Sequence, residues 1–122
     1  MKRNLDLIRE IMLWIEEHGR EGRSYPSTVI KIEGFNSLEI DFHLRLLQQA
    51  GFVNIPTDTV KRPLRYEHFN NLTMKGFDYL DSVRDNSVWL KVKEKLAKVG
   101  GSVAIELIPT IASSVIKSVL GL

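Results

Sequence analysis

The sequence contains no cysteine among its 122 residues. Disulfide scaffolds, thiol catalysis and structural zinc sites built on cysteine are therefore excluded. An excess of charge of one sign is also missing, because 17 Lys and Arg stand against 15 Asp and Glu and leave a net charge of +2. Such a balance gives no strong overall field, so any affinity for phosphate has to come from a local cluster of basic residues.

Internal repeats, low-complexity linkers and a signal-peptide pattern are also lacking. Charged residues recur through the first ten positions and interrupt any continuous apolar run there. The composition, 43% hydrophobic and 26% charged, is that of a folded protein with one main domain and some additional elements. We therefore expect an intracellular, cytoplasmic location.

Catalytic motifs are absent as well. The sequence has no nucleophile motif, no glycine loop that would cradle phosphate and no carboxylate pair in an apolar context. His43 lies at the flank of a core face, where an imidazole usually packs or forms hydrogen bonds. We expect no enzymatic activity and no metal or other cofactor.

The hydrophobic periodicity predicts a mainly α-helical chain with one small β-hairpin, an α+β fold. The predicted helices are Leu5–His18, a helix from Asn36 or Ser37 to Ala50, one capped by Thr73 that runs through Val83, one capped by Asn86 or Ser87 that runs through Val99, and Ser102–Leu122. The predicted strands are Thr28–Glu33, Phe52–Ile55 and Leu64–Phe69, and the last two form the hairpin.

This order of elements resembles a winged helix-turn-helix domain. The stretch SLEIDFHLRLLQQAGFV, from Ser37 to Val53, resembles the recognition-helix segment of bacterial winged-helix regulators, and LTMKGFDYL, from Leu72 to Leu80, resembles the segment after their wing. The opening MKRNLDLIREIMLWIEEH and the late RDNSVWLKVKEKLAKVGGS are similar to small phage and prophage proteins of unassigned function. The resemblance implies a winged-helix-like domain over residues 1–84, a helical extension over 85–122 and a phage or prophage setting.

Regulatory binding of double-stranded DNA is the first functional hypothesis. The candidate residues are Lys61, Arg62 and Arg65 in the predicted wing, together with Ser37, Arg45, Gln48 and Gln49 on the helix before it. Two features disagree with this hypothesis. Pro26 and Gly34 disfavour a positioning helix before the recognition helix. The acidic Asp41 and the apolar Leu38 and Phe42 are predicted to share the outer face of the recognition helix with Arg45, Gln48 and Gln49.

Binding of a host or phage protein is the alternative hypothesis. Leu13, Leu38 and Phe42 are predicted to be exposed apolar anchors, because each falls outside the core face of its helix.

The last residues of the chain are almost free of charge, which predicts an assembly element. The candidate oligomerisation residues of this predicted helix are Ile105, Ile108, Ile111, Val115, Ile116 and Val119, and they favour a homodimer. Contact with a membrane surface, aided by lysines of the preceding helix, is the weaker alternative. Spanning a bilayer is disfavoured, because Glu106 and Lys117 would each cost about 3 kcal/mol near its centre.

Overall fold

The computed structural model describes residues 1–57, 65–100 and 103–122. Within these ranges the protein is mainly α-helical with a small two-stranded antiparallel sheet, which confirms the predicted α+β class. The α-helices are α1 (Leu5–His18), α2 (Ser37–Gln49), α3 (Met74–Val83), α4 (Asn86–Lys98) and α5 (Ile108–Leu120), and the strands are β1 (Tyr25–Pro26) and β2 (His68–Phe69).

Local capping explains where the first helices begin. The Asn4 side chain accepts a hydrogen bond from the backbone N–H of Leu7 (3.1 Å) and starts α1 at the predicted residue. At α2, the Asn36 side chain accepts from the N–H of Glu39 (2.9 Å), and the Glu39 carboxylate accepts from the N–H of Asn36 (3.1 Å). This reciprocal capping box confirms the predicted start of α2.

The caps of α3 and α4 agree only in part with the prediction. The Thr73 hydroxyl accepts from the N–H of Gly76 (3.0 Å), which confirms the cap of α3. The cap of α4 is Asp85 instead of Asn86 or Ser87, because the Asp85 carboxylate accepts from the N–H of Val88 (3.0 Å).

The strand pairing differs from the predicted hairpin. In β1 and β2, Tyr25 lies opposite Phe69 and Pro26 lies opposite His68. The stretch after α2 pairs further along the chain, through a bridge between Val53 and Leu72. The predicted partner of Phe52–Ile55 was therefore wrong, because the backbone hydrogen bonds of this stretch join it to residues 71–73.

The predicted strand Thr28–Glu33 was also wrong. A 3-10 helix occupies Ser27–Val29, so this segment turns directly after β1. The alternation that suggested a strand survives as a burial pattern, because Ile30 is buried between exposed Val29 and Lys31.

Two compact units, 1–77 and 78–122, make up the chain. The boundary between them falls within α3, whereas the predicted domain boundary after residue 84 stays a prediction. In the first unit, α1 and α2 pack against each other, and the 3-10 helix at 27–29 packs on α2. In the second unit, α4 packs against α5.

The tail is not the single helix that was predicted over Ser102–Leu122. A 3-10 helix covers Ile105–Leu107, and α5 follows with 13 residues. Pro109 lies in the first turn of α5, where its missing N–H costs no helical hydrogen bond. Across the described ranges, no helix is both long enough and apolar enough to cross a membrane.

Candidate functional site

The polar side of α2 is occupied by a buried hydrogen-bond network. The Asp41 side chain was predicted to face outward, but the residue is only 6% exposed. Its carboxylate accepts hydrogen bonds from the Ser27 hydroxyl (2.6 Å), the backbone N–H of Glu67 (2.8 Å) and the Arg45 guanidinium (3.1 Å). One carboxylate therefore ties α2 to both the 3-10 helix and the segment before β2.

Two of the predicted DNA-reading residues belong to the same side of α2. Arg45 also donates from Nε to the Glu67 carboxylate (2.9 Å), so two carboxylates neutralise its charge. Gln48 is 8% exposed and donates from Nε2 to the carbonyl of His68 (2.6 Å). The prediction that Gln48 faces outward was wrong, because the return of the chain through β2 covers this side of the helix.

The other DNA candidates do not form one surface on α2. Ser37 and Gln49 are exposed, but they are the first and last residues of the helix, about 18 Å apart at 1.5 Å per residue. Arg65 is exposed, and its guanidinium carbon lies 5.4 Å from the centre of the Tyr66 ring. Lys61 and Arg62 lie outside the described residues.

The outward side of α2 is apolar. Leu38 is 68% exposed, and Phe42, one turn further on, is half-buried with its ring edge-on to the His43 imidazole (5.3 Å between centres). Leu46, again one turn further, is also half-buried. These residues follow the i, i+4, i+8 spacing of a helix ridge, and we call them the α2 ridge.

A groove opens beside the first turn of α2. It has a volume of about 400 Å³. Its lining combines the buried Ile30 and Ile40 with the half-buried Ile32 and Phe35, and Lys31 and Glu33 add one charge of each sign. The groove therefore combines apolar and charged side chains, and its lining includes Ser37, the residue before Leu38.

Leu13, the third predicted protein-binding residue, does not belong to this surface. Leu13 lies on α1 and, like Phe42, it is half-buried, whereas the prediction required both to be exposed. The reason is that Leu13 lies one turn after Arg9 on α1, and the Arg9 side chain is itself buried. That side of α1 is therefore covered.

His43 holds the start of α1 against α2. It is 2% exposed, and both ring nitrogens have partners. Nδ1 donates to the carbonyl of Glu39 (2.7 Å), while Nε2 accepts from the backbone N–H of Asn4 (2.9 Å). Because a carbonyl can only accept and an N–H can only donate, these partners require the neutral Nδ1–H tautomer.

The six oligomerisation candidates of the tail separate into two groups. Ile105, Ile108 and Val115 are 8%, 0% and 2% exposed, so they pack within the chain. The other three remain accessible to different degrees: Ile111 is half-buried, Ile116 is 37% exposed and Val119 is 61% exposed. The packing of α4 on α5 accounts for the buried residues of that helix, and a role of the six residues in oligomerisation stays a prediction.

The sequence alone did not identify Ser27 and Glu67, which both donate hydrogen bonds to the buried Asp41 carboxylate. Their contacts with Asp41 join positions 14 and 26 residues apart in the chain. A local periodicity carries no information on such contacts.

Comparison with known proteins adds a family. Residues 2–102 match the model of a family described as "Hypothetical protein (DUF2513)". The chain belongs to this family. It is also similar to a protein of Haemophilus influenzae (strain ATCC 51907 / DSM 11121 / KW20 / Rd) described as an "Uncharacterized protein", with 29% identity over 128 residues that cover 98% of this chain and 99% of the relative. No solved structure matches the chain significantly.

Proposed function

We propose that the chain is a non-enzymatic module that binds a protein partner through the α2 ridge and the groove beside it. The observation that carries this proposal is the opposite orientation of the two kinds of side chain on α2. Gln48 and Asp41 are buried in internal hydrogen bonds, whereas Leu38 is largely exposed. A helix that reads DNA needs the reverse arrangement, with its polar side chains free to reach base edges.

The first unit is proposed to be winged-helix-like. Support comes from the segment that returns after residue 65, which makes two pairings. Its residues 68–69 pair with β1, and Leu72 bridges to Val53 in the stretch after α2. A winged-helix sheet has this arrangement, with the returning strand paired to both other strands. The 3-10 helix at 27–29 then takes the place of the positioning helix.

The partner that fits this surface is an amphipathic helix of a host or phage protein. Such a helix would place one apolar side chain in the groove and a second beside Leu38, as in other helix-in-groove complexes. Lys31 and Glu33 favour a partner with charges of both signs at its polar margin. We carry over the phage or prophage setting from the resemblance, and we propose a cytoplasmic location.

A comparison of captured proteins from the native host tests this proposal. The tagged wild-type chain is compared with Leu38→Asp and with Leu90→Asp, a matched control because Leu90 is 57% exposed on α4. We expect the wild-type chain and Leu90→Asp to capture one protein in common, and this capture should withstand nuclease treatment. Leu38→Asp should not capture that protein. Equal capture by both variants, or loss of all captured protein after nuclease treatment, would contradict the proposal. Circular dichroism checks that both variants are folded.

DNA binding is the second candidate, and exposed Arg65 next to the basic sequence of Lys61 and Arg62 favours it. Since Arg45 and Gln48 are engaged internally, such binding would depend on phosphate contacts and would be strongly salt-dependent. Alanine at the three basic positions should then weaken duplex binding and flatten its salt dependence. The absence of duplex binding at low salt would exclude this candidate.

A further inference from the structure

Helix α5 has a polar side that residues 1–57, 65–100 and 103–122 leave exposed. Its buried side consists of Ile108, Ala112 and Val115, which are at most 2% exposed. The opposite side of the helix borders a shallow depression with a volume of about 740 Å³. The residues that line it are Pro109, Thr110, Ser113, Ser114, Lys117, Ser118 and Leu122.

One acidic and one basic residue mark the two ends of this side. Glu106 lies in the 3-10 helix that leads into α5, and Lys117 lies in the last turn of α5. Both are exposed, and neither has an ion-pair partner among residues 1–57, 65–100 and 103–122. The separation in sequence corresponds to about three helical turns, or about 17 Å, and brings both residues to the same side of the helix.

We propose that two copies of this chain associate through antiparallel pairing of their α5 helices. Glu106 of each copy then lies beside Lys117 of the other, so the two-fold symmetry produces two ion pairs from one pair of residues. Charge complementarity favours a second copy as the partner, because each helix carries both the acidic and the basic residue of the ion pair, about three turns apart. Antiparallel packing also places the positive helix end of one copy beside the negative end of the other.

The residues between the two charges allow close approach. In this register Thr110 of one copy lies level with Ser113 of the other, and both side chains are small and exposed. The side chains that meet between the two ion pairs are therefore small and polar.

Charge reversal in the full chain tests this pairing. Glu106→Lys and Lys117→Glu each replace two attractions with two repulsions, and we expect each to raise the dimer Kd by at least roughly tenfold. The double variant Glu106→Lys with Lys117→Glu restores the complement and should return the Kd close to the wild-type value. Sedimentation velocity over a concentration series measures all of them.

Two control variants address other origins of self-association. Glu94→Lys changes an exposed charge on α4 and should leave the Kd unchanged. Leu38→Asp should likewise have no effect, because the α2 ridge lies in the other unit. A wild-type chain that stays monomeric at the highest attainable concentration overturns the proposal. Dimerisation that withstands both single reversals, or a double variant that is no better than the singles, also overturns it.

Discussion

Loss of the Asp41 carboxylate should destabilise the first unit more than the substitution of any exposed residue of α2. Asp41→Ala leaves the Ser27 hydroxyl, which is 1% exposed, without its acceptor, and it also removes the acceptor of the Glu67 N–H. Leaving a buried polar group without a partner costs about 1–3 kcal/mol. The buried Ser27 hydroxyl should cost about 1–3 kcal/mol and the partly buried Glu67 N–H about 1 kcal/mol, so we expect the free energy of unfolding to fall by about 2–4 kcal/mol.

Two further variants distinguish the parts of this cost. Asp41→Asn keeps the oxygen that accepts from both Ser27 and Glu67, but it replaces the oxygen that accepts from Arg45 with an NH2 group, so it should cost about 1 kcal/mol. Arg45→Ala should cost at most about 1 kcal/mol, because its side chain is 47% exposed and its ion pairs are screened by solvent. The expected order of destabilisation is therefore Asp41→Ala, then Asp41→Asn and Arg45→Ala.

Urea denaturation followed by tryptophan fluorescence measures these changes. The chain has two tryptophans, Trp14 in the first unit and Trp89 in the second. In a Trp89→Phe background the signal comes from Trp14, which stacks on His18 and meets Phe69 edge-on. The reasoning is refuted if Asp41→Ala lies within about 0.5 kcal/mol of the parent, the range of ordinary surface substitutions.

Gly76→Ala should lower the free energy of unfolding by about 1–3 kcal/mol, because its new Cβ would overlap the backbone carbonyl of Phe52. Met74→Ala, at a residue that is 82% exposed, is the control, and equal urea midpoints for the two variants would contradict this. Burial raises the pKa of the Tyr79 phenol above its ordinary value, so the folded state keeps that proton to a higher pH than the unfolded state does. The free energy of unfolding should therefore fall as pH rises above about 10. Tyr79→Phe should reduce this decline between about pH 9 and pH 11, and an unchanged slope in urea melts would contradict it.

The features that local chemistry determines were predictable from the sequence. Asn36 and Glu39 lie within one turn, so their reciprocal hydrogen bonds depend only on residues that the sequence places together. The bounds of α1 were predictable for a similar reason, because Asn4 caps it and its apolar residues follow the helical period.

Gly19 shows a correct prediction with a different cause. It ends α1, as predicted, but its φ of −66° is one that any residue adopts, so no left-handed cap is involved. Instead, a Cβ at this position would meet the backbone carbonyl of Asn70. Glycine at this position is therefore explained by a close approach between distant segments, which the sequence does not show.

Long-range contacts also account for the errors at the candidate site. A helical wheel places Asp41 and Gln48 on the flank of α2, and only the return of the chain through His68 shows that this flank is covered. In the same way, the aliphatic residues of the tail gave no indication of whether α4 or a second copy covers them. Leu38 was predicted correctly, since none of the segments that the structure describes covers its side chain.

The central claim is that the exposed α2 ridge contacts a protein, and site-specific photo-crosslinking in the native host tests it most directly. A photoreactive residue replaces Leu38 in one variant and Leu90, on α4, in a control. The account predicts one nuclease-resistant protein adduct from position 38 that is absent from position 90 and is lost when Phe42→Asp is added. Adducts to DNA from position 38, or the same protein adducts from both positions, would contradict it.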